Sequence, residues 1–184
     1  MATGYRYQFS AQISIVEEPE KYAITAGHKE VSAEEELMGT HPTDVTAHEE
    51  GGRLVVGSGQ NVLRQKENVS GIIRFISTTE RVMEMVLEGV PDDTIAVIDD
   101  SGGTLTAPII EGFKAILCLG GTVRSHLGIL AREYGIPTLM DCQLAGLHEG
   151  DRVEVEYTVS PPSTSEHGLT ESNRAHVWKI DGGA

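Results

Sequence analysis

The sequence predicts a mixed α/β domain, and three observations predict it. Short apolar runs recur at residues 71–77, 94–98 and 115–119, the length and composition of buried strands. Amphipathic stretches at 79–87 and 125–134 lie among them with helical spacing. Glycine- and proline-containing turns separate the two kinds of segment, so strands and helices share one layered core.

Each element has its own signal. Residues 5–9 and 11–15 alternate polar and apolar in the manner of strands. Glu34, Glu35 and Glu36 suit a short acidic helix, and Glu49 to Gly52 a turn, before a strand beginning at Arg53. In the helix at 79–87, Val82, Met85 and Val86 share a face and Thr79 is the expected cap. Residues 89–93 form a turn into the strand 94–98, and 99–103 a loop with Gly102 and Gly103 read as a turn. Gly135 ends the helix begun at Ser125, and Pro137 prevents its resumption. Residues 138–140 read as a short strand, 147–151 as a turn, and 152–157 as a strand of period two. Ser160, Pro161 and Pro162 open a linker-like stretch, after which 176–180 is expected to pair back onto the body.

The 184 residues carry 28 acidic against 14 basic side chains, a formal charge of −14. That balance disfavours a nucleic-acid surface or an anionic membrane, since both require clustered Lys and Arg. The first ten residues lack the charged and apolar regions of a signal peptide, and no apolar run is long enough to span a bilayer, so the expected location is cytoplasmic. Cys118 sits in an apolar run and reads as a small core residue. His28, His41 and His48 match no compact ligand spacing and read as solvated surface histidines, so no metal is expected.

The informative segment runs from Gly120 to Pro137. An apolar strand ends in Gly120 and Gly121, then a polar turn leads into a helix. Such a turn presents backbone N–H groups, and the helix start adds the positive end of its dipole, so an anion is stabilised there. Ser125 is the expected N-cap, which puts His126 in the first turn. An imidazole is a competent nucleophile at neutral pH, and Arg124 beside it offers a fork of donors to phosphate. By the residues alone, the segment also fits a capping or solvated histidine after an ordinary glycine turn.

From Gly121 to Pro137 the sequence resembles the mobile, swivelling phosphohistidine domain of the PEP-utilizing enzymes, a family that includes pyruvate phosphate dikinase, PEP synthase and enzyme I of the sugar phosphotransferase system. Ser125 and His126, then Ala131, Arg132 and Glu133, then Gly135, Ile136 and Pro137 stand at the family's distances from its histidine. Residues 69–76, 93–99 and 147–155 resemble its flanking strands. Two departures stand out. The glycine pair is displaced by one residue, the family's second glycine falling at Thr122, and Arg124 occupies the usual place of a threonine.

The resemblance implies a swivelling β/β/α phosphohistidine domain at 61–158, preceded by an acidic N-terminal extension (1–60) and followed by a linker and C-terminal strand or tail (159–184). It implies His126 as the phosphoryl acceptor, with Gly121, Thr122, Arg124 and Ser125 binding phosphate. The chain is too short to hold the family's nucleotide-binding ATP-grasp domain or a substrate barrel, and it has no Walker-type loop. The expectation is therefore a stand-alone mobile subunit of a PEP-synthase-like phosphotransferase. Such a chain binds no cofactor itself, while ATP and Mg²⁺ belong to an ATP-grasp partner and the acceptor to a substrate-binding subunit. Arg124 and the shifted glycines motivate an alternative, a non-catalytic regulatory or binding module of the same fold. A further alternative is the small subunit of a dehydratase-type complex.

Overall fold

The structure, a computed structural model, describes residues 32–41, 43–162 and 174–180. The strands expected at 5–9 and 11–15, and His28, lie outside the described residues. From Ala33 onward the described residues belong to one compact unit. In chain order the elements are α1 (Ala33–Thr40), β1 (His48–Glu50), β2 (Arg53–Asn61), β3 (Val69–Phe75), α2 (Thr79–Glu88), β4 (Thr94–Ile98) and α3 (Gly102–Thr106). A 3₁₀ turn (Ala107–Gly112) leads to β5 (Ala115–Cys118), α4 (His126–Tyr134), β6 (Thr138–Leu144), β7 (Arg152–Val155) and β8 (Ala175–Lys179).

All eight described strands join one mixed sheet in the order β1-β2-β6-β5-β4-β3-β7-β8, and β8 also pairs with β2. Seven strands therefore close a ring, with β1 attached as a hairpin to β2. Strands β3 to β6 run parallel to their neighbours within that run, whereas β2, β7 and β8 pair antiparallel with theirs. The sequence predicts a strand from Arg53 at the start of the compact part of the chain, ahead of the family-like stretch that begins at about residue 60. The strand there is an integral ring member, in register with both β6 and β8.

Period-two alternation sorts the side chains into two cores. Ile95 and Val97 of β4, Ala115 and Leu117 of β5, Val153 and Val155 of β7, and Val177 of β8 belong to one cluster, to which every ring strand contributes. That cluster fills the ring interior. Ala96, Ile98, Ile116 and Cys118 face the other way and pack with Val82, Met85, Ile110, Leu127 and Ala131 from the helices. Both faces of β4 and β5 are thus buried, which is why those runs are continuously apolar. Tyr157 lies fully inside the ring, where its hydroxyl donates to the Ile116 carbonyl at 3.3 Å and burial pushes its pKa up. Leu37 of α1 joins the interior cluster, so this acidic helix closes a mouth of the ring.

Four local expectations need correction. The cap of α2 is Thr78, whose hydroxyl accepts the Arg81 N–H at 3.2 Å, because its extended backbone leaves the oxygen facing the first turn. Val86 is about half exposed, so the buried stripe of α2 is Val82 and Met85. Gly102 and Gly103 do not form a turn but begin α3. The Asp99 carboxylate accepts the Gly102 N–H at 2.6 Å, and a Cβ at Gly103 would lie only 3.1 Å from Leu127 Cβ, so glycine permits α3 to pack on α4. The strand at Thr138 continues to Leu144 through a bulge at Asp141, whose φ of 51° lies in the left-handed region.

Candidate functional site

The loops after β3, β4 and β5 gather at the carboxyl ends of the parallel strands, the edge where sheets of this kind place ligand-handling residues. The loop after β5 is the one singled out by sequence. Leu119 N–H still bonds to the Ile98 carbonyl at 2.8 Å, and the chain then turns away at Gly120 and Gly121. Gly121 has φ of 67°, and a Cβ there would collide with the Asp100 carboxylate, so glycine is required twice over.

Residues 122–125 fold into a tight turn. The Ser125 N–H bonds to the Thr122 carbonyl at 2.9 Å, and the Thr122 hydroxyl accepts the Arg124 N–H at 3.3 Å. Ser125, with φ −65° and ψ 168°, is the N-cap of α4, as its position predicts. Its hydroxyl, however, makes no capping bond and is buried without a partner. The first turn of α4 is therefore left without a side-chain acceptor for its N–H groups, the groups an incoming anion would use. Gly128 lets this turn fold back on the helix, because a Cβ there would stand 2.6 Å from the Val123 carbonyl oxygen. At the far end, Gly135 takes the left-handed conformation (φ 68°) and Ile136 N–H reaches the Ala131 carbonyl at 2.9 Å, ending the helix where expected.

His126 is the first residue of α4 and is exposed, as are Arg124, Thr122 and Gly121. The structure brings all five sequence-selected residues into one continuous turn and helix start. Among the described residues neither His126 nor Arg124 makes a side-chain hydrogen bond or ion pair, so both are free to meet a ligand.

Four neighbours were not selected by sequence. A Cβ at Gly120 would lie 3.3 Å from Cε1 of His41, which places that histidine, at the end of α1, against the loop. Asp100 stands against Gly121. Asp141 donates its backbone N–H to the Gly120 carbonyl at 3.1 Å. Arg174 in turn holds Asp141, with Nη1 at 2.9 Å from Oδ2 and Nη2 bonded to its carbonyl. The acid pair after β4 is the one local signal, since it ends a parallel strand. His41 and Arg174 come from segments remote in sequence and carry none.

The cysteines take no part. Burial pushes the Cys118 thiol up to about 12 and raises Cys142 as well, so neither is a ready thiolate. No described helix is long and apolar enough to cross a membrane.

Residues 90–158 match the family model described as PEP-utilising enzyme, mobile domain. No curated protein matches the chain in sequence. The match runs from the turn before β4 through β7 and contains the whole His126 segment, while β2, β3 and β8 of the ring lie outside it.

Proposed function

We propose, from the premise that residues 90–158 are a mobile domain of the PEP-utilising enzymes, that this protein is a phosphoryl carrier whose acceptor is His126. The observation that carries this reading is the exposed histidine at the first position of α4, behind a capping serine whose hydroxyl leaves the helix N–H groups unclaimed. An imidazole nitrogen attacks the phosphorus of a donor held by a partner subunit. The N–P bond forms as the donor's P–O bond breaks, and the donor departs with its oxygen. The helix start and the Arg124 guanidinium then neutralise part of the phosphoryl charge.

The same reading assigns ATP and Mg²⁺ to an ATP-grasp partner and the acceptor to a separate substrate-binding subunit. The domain swivels between them. Arg124 takes over, as a charged donor, the ring-side position where the family has a threonine.

The test is phosphorylation of the full chain by an ATP-grasp phosphotransferase partner with labelled ATP and Mg²⁺. The expected product is an acid-labile, base-stable adduct that His126→Ala abolishes. Absence of the adduct, or an undiminished adduct in His126→Ala, overturns the proposal. Arg124→Ala is expected to lower the yield or lifetime of the adduct, and Arg124→Thr to keep it.

A further inference from the structure

The ring's outer face carries a second cluster of reactive side chains, remote in sequence from the His126 turn. Strands β1 and β8 both pair with β2, and Val55 stands in register with His48 on one side and Trp178 on the other. His176, two residues before Trp178 and in register with Ser58, approaches the same carboxylate as His48. Nε2 of each lies 4.0 Å from Oε2 of Glu50.

Both imidazoles are oriented from behind. His48 Nδ1 lies 3.2 Å from the Thr46 carbonyl, and His176 Nδ1 lies 3.0 Å from Oε2 of Glu156. A carbonyl oxygen accepts only, and so does an ionised carboxylate, so each Nδ1 carries the hydrogen. Nε2 of each ring is then the nitrogen on the Glu50 side. A ring nitrogen bonded to a carbonyl or carboxylate, with the other nitrogen presented outward, is the arrangement that orients metal-binding histidines. Trp178 stacks on His176 with ring centroids 5.8 Å apart, which restrains the ring further.

We propose that His48, Glu50 and His176 form a site for a divalent transition-metal cation, with Glu156 and the Thr46 carbonyl as its orienting shell. Two imidazoles and one carboxylate select Zn²⁺, Cu²⁺ or Ni²⁺ over the oxygen-seeking Mg²⁺ and Ca²⁺. Metal–ligand bonds of about 2.0–2.2 Å in tetrahedral geometry put neighbouring ligand atoms about 3.3–3.6 Å apart. Among the described residues no group of three or more His, Cys, Asp or Glu side chains is already placed to hold a metal ion. The trio instead stands open by well under 1 Å in each N···O separation. The Glu50 side chain is more than half exposed, so rotation about its bonds can carry the carboxylate toward the imidazoles while both rings keep their Nδ1 partners. Three protein ligands leave a fourth position for water or a small anion. Beside it lies a cleft of about 260 Å³ lined by His48, His176, Ser58, Gln143 and Arg174.

The experiment is titration of the full chain with Zn²⁺ alone, read by competition with a chromophoric chelator at neutral pH. The expected result is one site of micromolar affinity, weakening in acid because both imidazoles must be deprotonated to ligate. His48→Ala, His176→Ala and Glu50→Gln should each weaken it at least tenfold, and Glu156→Gln by about 10- to 100-fold through loss of orientation. His41→Ala and His148→Ala should leave it unchanged. Because His48 and Glu50 are exposed, their variants keep the fold, which circular dichroism verifies. No Zn²⁺ bound at 100-fold excess over a micromolar constant, or affinity undiminished in His48→Ala and His176→Ala, overturns the proposal.

Discussion

Arg174 grips Asp141 twice, at its carboxylate and at its backbone carbonyl, and Asp141 in turn holds Gly120 at the entrance to the His126 turn. The guanidinium also donates from Nε to the Ser58 hydroxyl at 3.0 Å and from Nη2 to the Ser58 carbonyl at 3.2 Å, and its side chain is largely buried. A bulge that turns β6 is thereby tied to β2 and to the segment leading into β8. Arg174→Ala is expected to cost about 2–3 kcal/mol, since hydrogen bonds to charged groups contribute more than neutral ones. Arg174→Lys should recover little, because an ammonium cannot fork between a carboxylate and two carbonyls. Urea denaturation of the three proteins measures both differences.

Asp141 itself pays a conformational penalty for its positive φ. Substitution by alanine removes the ion pair and keeps the strain, whereas glycine removes both. Asp141→Ala is therefore expected to be less stable than Asp141→Gly by about 1 kcal/mol. Equal stability of the two variants would show that the left-handed backbone carries no penalty here.

Gly128→Ala should displace the turn that presents His126, because the added methyl meets the Val123 carbonyl oxygen at 2.6 Å. Gly135→Ala provides the control. Its Cβ meets nothing within 4 Å, so only the left-handed backbone penalty of about 1 kcal/mol remains. The expected pattern is a loss of phosphoryl uptake in Gly128→Ala beyond its loss of melting temperature, and uptake retained in folded Gly135→Ala.

Acid should weaken the ring where β7 meets its neighbours. Burial tends to raise the Asp151 pKa, but the Lys179 ammonium at 2.7 Å and the His148 N–H outweigh it and hold the carboxyl below its ordinary value. Hydrogen bonds from Asn68 at 2.8 Å and Arg53 at 2.7 Å lower Glu154 against a smaller burial effect. Depressed folded-state values mean that the stabilisation is complete above the ordinary carboxylate range and is lost as pH falls through the folded values. The urea midpoint should hold steady near neutrality and decline below about pH 4. Asp151→Asn with Glu154→Gln should flatten that decline.

Neither thiol should react in the native protein. With Cys118 pushed up to about 12 and Cys142 raised by complete burial, alkylation at pH 8 is expected only after unfolding in urea. Rapid labelling of either cysteine in the folded chain would contradict the burial described.

Much of this was legible in the sequence where signals are local. The runs at 94–98 and 115–119, the glycine after α4 and the serine before His126 each announce their role through neighbours within a few residues. The Asp99 to Gly103 stretch misleads, because glycine and serine composition reads as a turn, while the helix there rests on a carboxylate cap and close packing on Leu127. The bulge at Asp141 was invisible, since its partner Arg174 lies beyond the linker-like stretch. His41 beside Gly120, and His176 facing Glu50, likewise arise from ring closure, which no short window of sequence encodes.

The pairing of β8 with β2 also dictates an order of events during synthesis. The ring interior cannot seal until residues 175–179 have left the ribosome, so β2 and β7 wait with free edges while everything between them is already made. The segment 90–158 alone would hold β4 to β7 but none of β2, β3 or β8, leaving Val153, Val155 and Leu139 without their inner partners. The histidine turn therefore belongs to a domain that is complete only once β8 has paired with both β2 and β7.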